Sequence, residues 1–165
     1  MKPSGFTHDK KENLSVDWYT PKWVFDEMGV EFDLDPCAPK GGVPWIPAKR
    51  SLSLEDDGLT QPWEGLVWLN PPYGKHTPLW LEKMHKHRNG VALLFARTDC
   101  IWFHKYCATA DAVLFLKGRI AFVDGLGKTG GGGAGCGSML VAWGDGVHAL
   151  LGLKHKGFAV RGKRE

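Results

Sequence analysis

The string Asn70-Pro71-Pro72-Tyr73-Gly74 stands directly behind an apolar run, residues 66–69, and holds the groups most able to do chemistry. The exocyclic amine of adenine or cytosine is a poor nucleophile, because its lone pair is delocalised into the ring. Two acceptors facing the two amino hydrogens hold that lone pair toward an electrophile. An Asn side-chain oxygen and a backbone carbonyl are such a pair, and consecutive prolines fix both before substrate arrives. The aromatic ring at the fourth position can stack on a base drawn out of a nucleic acid helix. Read for structure alone, the same string is a tight Pro-Pro turn closed by glycine.

Further candidate groups occur at the ends of apolar runs. Asp35-Pro36 closes residues 32–35, and Arg97-Thr98-Asp99 with Trp102-Phe103-His104 follows residues 91–96. Arg97 and Asp99 suit an ion pair, a phosphate contact or a contact to a cosubstrate. The four cysteines form no CxxC pair and the seven His residues are scattered, so no metal site is expected and a reduced protein is favoured over a disulfide scaffold.

Positioning these groups requires strands that end beside one another. Residues 32–35, 66–69, 91–96, 112–116 and 138–143 read as buried strands. Thr20 as N-cap, Pro21 at the first helical position and Gly29 as stop frame one helix; Thr77-Pro78 and Gly90 frame a second. A third helix is predicted over residues 99–109, with Ile101, Trp102, Tyr106 and Cys107 as candidate inward residues. Residues 38–62 read as loop with one turn of helix. The glycine run at 130–137 suits either a flexible hairpin connection or a loop that closes over substrate. Apolar strands separated by helices predict an α/β fold: a mostly parallel sheet in a three-layer sandwich, with its site beyond the carboxyl ends of the strands.

At 165 residues the chain suits one domain that buries about 70% of its unfolded surface. No apolar run approaches the ~18 residues of a membrane helix, and the polar start lacks a signal-peptide core, so a cytoplasmic protein without a membrane partner is expected. The net charge of +3 is too small to argue for nucleic acid by itself. Basic residues gather at 75–88 and in a tail, 153–165, and fit either a solvated surface with a frayed end or a phosphate-contacting face.

The order of blocks is more specific. Trp18-Tyr19-Thr20-Pro21, WVFDEM, FDLDPCAP, DDGL, WEGLVWLNPPYG, LLFARTD, WFH, GRI-x-F and GSMLVAWG resemble, over roughly residues 18 to 144, the phage-type DNA N(6)-adenine methyltransferase family, with NPPY as its motif IV. The resemblance implies a Rossmann-like S-adenosylmethionine-dependent enzyme acting on the adenine amino group of double-stranded DNA. A cytosine-specific enzyme and an inactive DNA-binding remnant are the alternatives. It further implies that Thr20 and Pro21 lie beside the methionine part of the donor. Asp35 and Pro36 form its motif I strand end, and Asp57 accepts from its adenine amine, though Asp57 before Gly58 equally fits a turn. Asn70 also borders the donor. DPCAPKGG lacks the tight G-x-G of larger relatives, a place that Gly41 and Gly42 can take. Catalysis falls to Asn70, Pro71, Pro72 and Tyr73, and DNA contact to Tyr73, Lys75, Arg97, Arg119 and Phe122. No separate recognition domain is visible. The expected location is the cytoplasm, that of the host if a phage encodes the chain, and the oligomeric state is left open.

Overall fold

A computed structural model describes residues 18–130 and 133–162. The polar start, Lys163 and Arg164 of the basic tail, and Gly131 and Gly132 of the glycine run lie outside the described residues. Strands β1 (Phe32–Asp35), β2 (Ala48–Ser51), β3 (Val67–Leu69), β4 (Gly90–Phe95), β5 (Ala112–Leu116), β6 (Ser138–Trp143) and β7 (Gly157–Arg161) form one sheet in the order β2-β1-β3-β4-β6-β5-β7. The first four are parallel neighbours, whereas β6 and β7 run against the strands beside them. The expected sheet direction is therefore held by β1 to β5, and one half of the sheet is antiparallel. A strand laid antiparallel to its neighbour needs no crossover helix.

Alternation within the strands builds two cores, as a sheet covered on both faces requires. Trp68, Val91, Leu93, Leu114 and Leu140 pack with Val24, Phe25 and Met28 of α1 (Lys22–Met28) and with Ala149, Leu150 and Leu153 of α3 (Gly146–Leu153). Val67, Leu69, Ala92, Leu94 and Val141 face the other way, against Leu81 and Met84 of α2 (Thr77–His87) and against Tyr106 and Cys107. This is the three-layer arrangement.

The local framing differs in detail from expectation. Pro21 is the residue before the first helical turn, with extended ψ of 149°, so Thr20 lies one place further out; Gly29 ends α1 as expected. Arg88, not Gly90, ends α2 in left-handed conformation, and Gly90 already belongs to β4. The third predicted helix is a π-helical turn, Phe103–Cys107, in which Tyr106 and Cys107 are buried, but Ile101 is 85% exposed. The edge strand β2 and the single 3₁₀ turn Leu54–Asp56 occupy the stretch read as loop.

Neither basic cluster is a bare cationic face. Lys83 donates to the carbonyls of Gly58 and Leu59, Lys86 pairs with Glu82, and Arg88 pairs with Asp111 at 3.0 Å. The tail read as frayed contains the end of α3 and β7, and Lys156 pairs with Glu27. No helix among the described residues is long and apolar enough to cross a membrane.

Candidate active site

In the sheet order, β2 lies on one side of β1 and β3 on the other. The chain leaves β1 toward β2 on one side and leaves β3 toward β4 on the other, so a crevice opens between β1 and β3, beyond their carboxyl ends. A cleft of about 560 Å³ lies there, lined after β1 by Cys37 to Lys40, after β2 by Ser53 to Glu55 and after β3 by Asn70 to Tyr73, with Trp18 and Tyr19 beside them. The volume falls within the roughly 300–1,000 Å³ of small-molecule sites.

Asp35 ends β1, is 3% exposed and accepts one hydrogen bond, from the Cys37 N–H at 3.1 Å. Burial raises its pKa to about 7, against a smaller lowering by that hydrogen bond. Burial, and then the charge of Asp35, also push the Cys37 thiol well up, which makes Cys37 a neutral wall rather than a nucleophile. Pro36 is buried, and Gly58 touches it so closely that a Cβ there would meet the Pro36 carbonyl oxygen at 2.2 Å. That contact presses the turn after β2 against the end of β1.

The NPPYG loop is tied down from α2. Thr77 donates its hydroxyl to the Pro72 carbonyl and accepts from the Gly74 N–H, both at 3.0 Å. The Tyr73 ring stacks on Phe95 with centroids 4.1 Å apart and planes 15° apart. Its hydroxyl lies 3.2 Å from Asn70 Oδ1 and 3.3 Å from the Leu93 carbonyl oxygen. Burial of this hydroxyl end drives the phenol pKa well up, so it remains a donor. Across Asn70 and Tyr73 a second cavity, about 510 Å³, is bounded by Trp18, Phe95, Phe122 and the glycine run. Trp18, Asn70 and Tyr73 thus line both spaces. Gly130 lies against Trp18, where a Cβ would stand 2.1 Å from the ring, so the start of the glycine run is shaped by contact.

Placement of the other expected residues is uneven. Thr20 is fully buried beside Trp18 and Tyr19, its hydroxyl oxygen without a partner among the described residues, and Pro21 is buried after it; neither is among the residues lining the cleft. Asp57 is exposed and is not among the residues lining the cleft; it closes the 3₁₀ turn with φ of 52° and its carbonyl accepts from Thr60. The acidic side chain at the cleft is Glu55, paired with Lys40 at 3.0 Å. Gly41 and Gly42 shape the turn toward β2 and do not line the cleft. Arg97 stands at the end of β4 beside Tyr73, whereas Lys75 and Arg119 are exposed outside the lining of these cavities. No ion pair joins Arg97 to Asp99 among the described residues.

Sequence reasoning missed Leu54, Glu55 and Phe95 as wall residues. Leu54, an apolar residue in an otherwise polar turn and 97% exposed, was the available signal. Trp18 stood in the quoted blocks, but its place between two cavities is a tertiary property.

A parallel-cored sheet with a cleft at its switch point and an Asn-Pro-Pro-Tyr loop beside a second, aromatic-walled cavity defines an S-adenosylmethionine-dependent amino-group methyltransferase. The family model described as DNA N-6-adenine-methyltransferase (Dam) matches residues 7–151, and the chain belongs to that family. The family's reaction is methylation of adenine N6 in DNA, which decides between the adenine and cytosine readings of the loop. Comparisons with curated proteins and with solved structures gave no match.

Proposed function

We propose that this enzyme works on double-stranded DNA by drawing the target adenine into the cavity between Tyr73 and Phe122 while the cleft across Asn70 holds the methyl donor. The observation that carries this reading is that Asn70 and Tyr73 border both spaces. Bound S-adenosylmethionine supplies an electrophilic methyl group on a sulfonium.

The cleft suits such a donor. Leu54 offers a bare apolar side chain for a purine face, and Ser53 and Glu55 acceptors beyond β2 for ribose hydroxyls, while Thr20, fully buried and outside the lining, supports the wall that Trp18 and Tyr19 form. Asp35 and Pro36 set the base of the β1 loop, Pro21 fixes Thr20, and Asp57 acts by shaping the turn that presents Glu55.

Asn70 is the acceptor for the adenine amine. One phenol proton cannot serve both Asn70 and Leu93. Turning the Asn70 amide over lets Nδ2–H donate to the Tyr73 oxygen while Tyr73 donates to Leu93. The Tyr73 hydroxyl then both donates and accepts, and Asn70 Oδ1 is left for the substrate. Pro72 accepts from Thr77, so the carbonyl of Pro71 is the second acceptor. As the amine nitrogen attacks, its hydrogens gain positive charge and both contacts strengthen. Phe122 covers the base, and Lys75, Arg97 and Arg119 lie where the surrounding strand can be held. DNA and donor meet in the cytoplasm, that of the host if a phage encodes the enzyme.

Incubation with unmethylated duplex and labelled donor, followed by nucleoside mass spectrometry, is expected to give N6-methyladenine, faster where the target adenine is mispaired, because extrusion then costs less. Label on cytosine, or equal rates on paired and mispaired targets, would overturn the reading.

Asp35 gives a pH prediction. Its folded pKa, about 7, lies above the usual value of 3.8. The folded protein therefore holds a proton that the unfolded chain has released, and stability falls as pH rises from about 4 to about 7, by at most about 4 kcal/mol. A cationic donor beside Asp35 favours the carboxylate, so donor affinity rises over the upper part of the same window and binding releases a proton. Calorimetry at pH 6 in two buffers of different ionisation enthalpy should show that release in the wild type and its loss in Asp35→Asn. Identical buffer dependence in the two proteins would place the donor elsewhere.

A further inference from the structure

Lys83 of α2 lines neither the donor cleft nor the aromatic cavity, yet it is built into a wall of the cleft. Half-buried, its ammonium donates to three main-chain carbonyls: Gly58 at 3.2 Å, Leu59 at 2.6 Å, and Gln61. Carbonyl dipoles that converge on one point repel each other unless a cation stands there, and an ammonium has one N–H for each of the three. Trp63 covers the group, with its ring centroid 5.1 Å from the ammonium and its Nε1–H donating to the Gly58 carbonyl at 2.8 Å. The turn held in this way continues directly from the Ser53–Glu55 wall. The Gln61 amide donates to the Asp56 carbonyl at 3.0 Å, and the N–H groups of Thr60 and Gln61 both donate to Asp57 O, so the wall and the turn are tied into one piece. The wall's other side-chain ties are the pairing of Ser53 with Asp56 inside the turn and the exposed Lys40–Glu55 ion pair, a kind of contact that stabilises little.

The same helix ties the opposite wall. Thr77, its first residue, bonds the NPPYG loop at Pro72 and Gly74. Thr77 and Lys83 stand about 9 Å apart along one continuous helix. The donor-side turn and the catalytic loop therefore hang from a single rigid rod, and methyl transfer depends on the spacing between what they hold. We infer that Lys83 is a positioning residue for the methyl donor: by gathering the Gly58, Leu59 and Gln61 carbonyls onto α2 it fixes the Ser53–Glu55 wall against the catalytic loop. The inference rests on the proposal that the cleft across Asn70 holds the donor.

The test titrates S-adenosylmethionine into wild type, Lys83→Met, Lys83→Gln and Leu54→Ser, beside single-turnover methylation at saturating donor and a DNA binding titration. Lys83→Met keeps an apolar stem under Trp63 and removes the three donors. It should weaken donor binding about tenfold, while the rate at saturating donor stays within about threefold and DNA affinity is unchanged. Hydrogen exchange should quicken at residues 53–61 and not at residues 70–74. Lys83→Gln, whose amide carries two N–H donors, should fall between wild type and Lys83→Met, and it decides the matter if Lys83→Met does not fold. Donor affinity equal to wild type in both variants, even with a lowered melting temperature, would make Lys83 a residue of the fold alone and overturn the inference. Weakened DNA binding, with the salt dependence reduced by about one counterion, would make it a phosphate contact and overturn it too. Leu54→Ser separates the underlying reading: unchanged donor affinity in that variant removes the cleft as the donor site, whereas a loss there with both Lys83 variants unaffected sinks only the role of Lys83.

Discussion

Asn70→Ala is expected to lower the single-turnover methylation rate by on the order of 10²-fold or more, with little change in DNA affinity. The Asn70 oxygen gains most from its partner while the nitrogen is losing its lone pair, so its removal falls on the chemical step. Alanine also leaves the Tyr73 hydroxyl with only the Leu93 carbonyl, so the loop loses one of its internal ties. Mispairing the target adenine should not restore the rate, because it lowers only the cost of extrusion. A near-normal rate for Asn70→Ala, or rescue by a mismatch, would reassign the acceptor.

Tyr73 is expected to fail differently. Tyr73→Ala removes the ring that stacks on Phe95 and lines the aromatic cavity. Capture of the extruded base should weaken by roughly one stacking contact, about 1–3 kcal/mol, and recover in part on mispaired or single-stranded DNA. Tyr73→Phe keeps the stack and loses the hydroxyl that holds the Asn70 amide. Its defect should be about threefold to tenfold, the usual net value of one hydrogen bond, and should appear in the rate rather than in binding. Parallel single-turnover and binding titrations of the two variants check this division. Equal mismatch rescue of Tyr73→Ala and Asn70→Ala would remove it.

The ion pairs of the fold explain why the basic residues could be read in two ways. Lys83, Lys86 and Arg88 form a dense charged string in one dimension, but in the fold each is consumed by a carbonyl or carboxylate. Partners of that kind come from distant segments, such as Asp111 for Arg88, and leave no local mark. The edge strands β2 and β7 were unreadable for a related reason. Their exposed, polar or mixed residues lack a period, and only pairing with β1 and β5 makes them strands.

What the sequence determined by itself was local in origin. The five apolar strands, the Gly29 stop and the rigid Pro-Pro loop behind β3 follow from side-chain size, periodicity and restricted φ, which act over a few residues. The ordered blocks carried the family. The tertiary structure alone decided which groups share a cavity. Strand order put the ends of β1, β2 and β3 around one cleft, with Glu55 rather than Asp57 in its lining, and set Trp18 and Asn70 between two spaces. Burial also raised the pKa of Asp35. Desolvation and shared walls depend on neighbours far apart in the chain, so they exist only once the sheet has assembled.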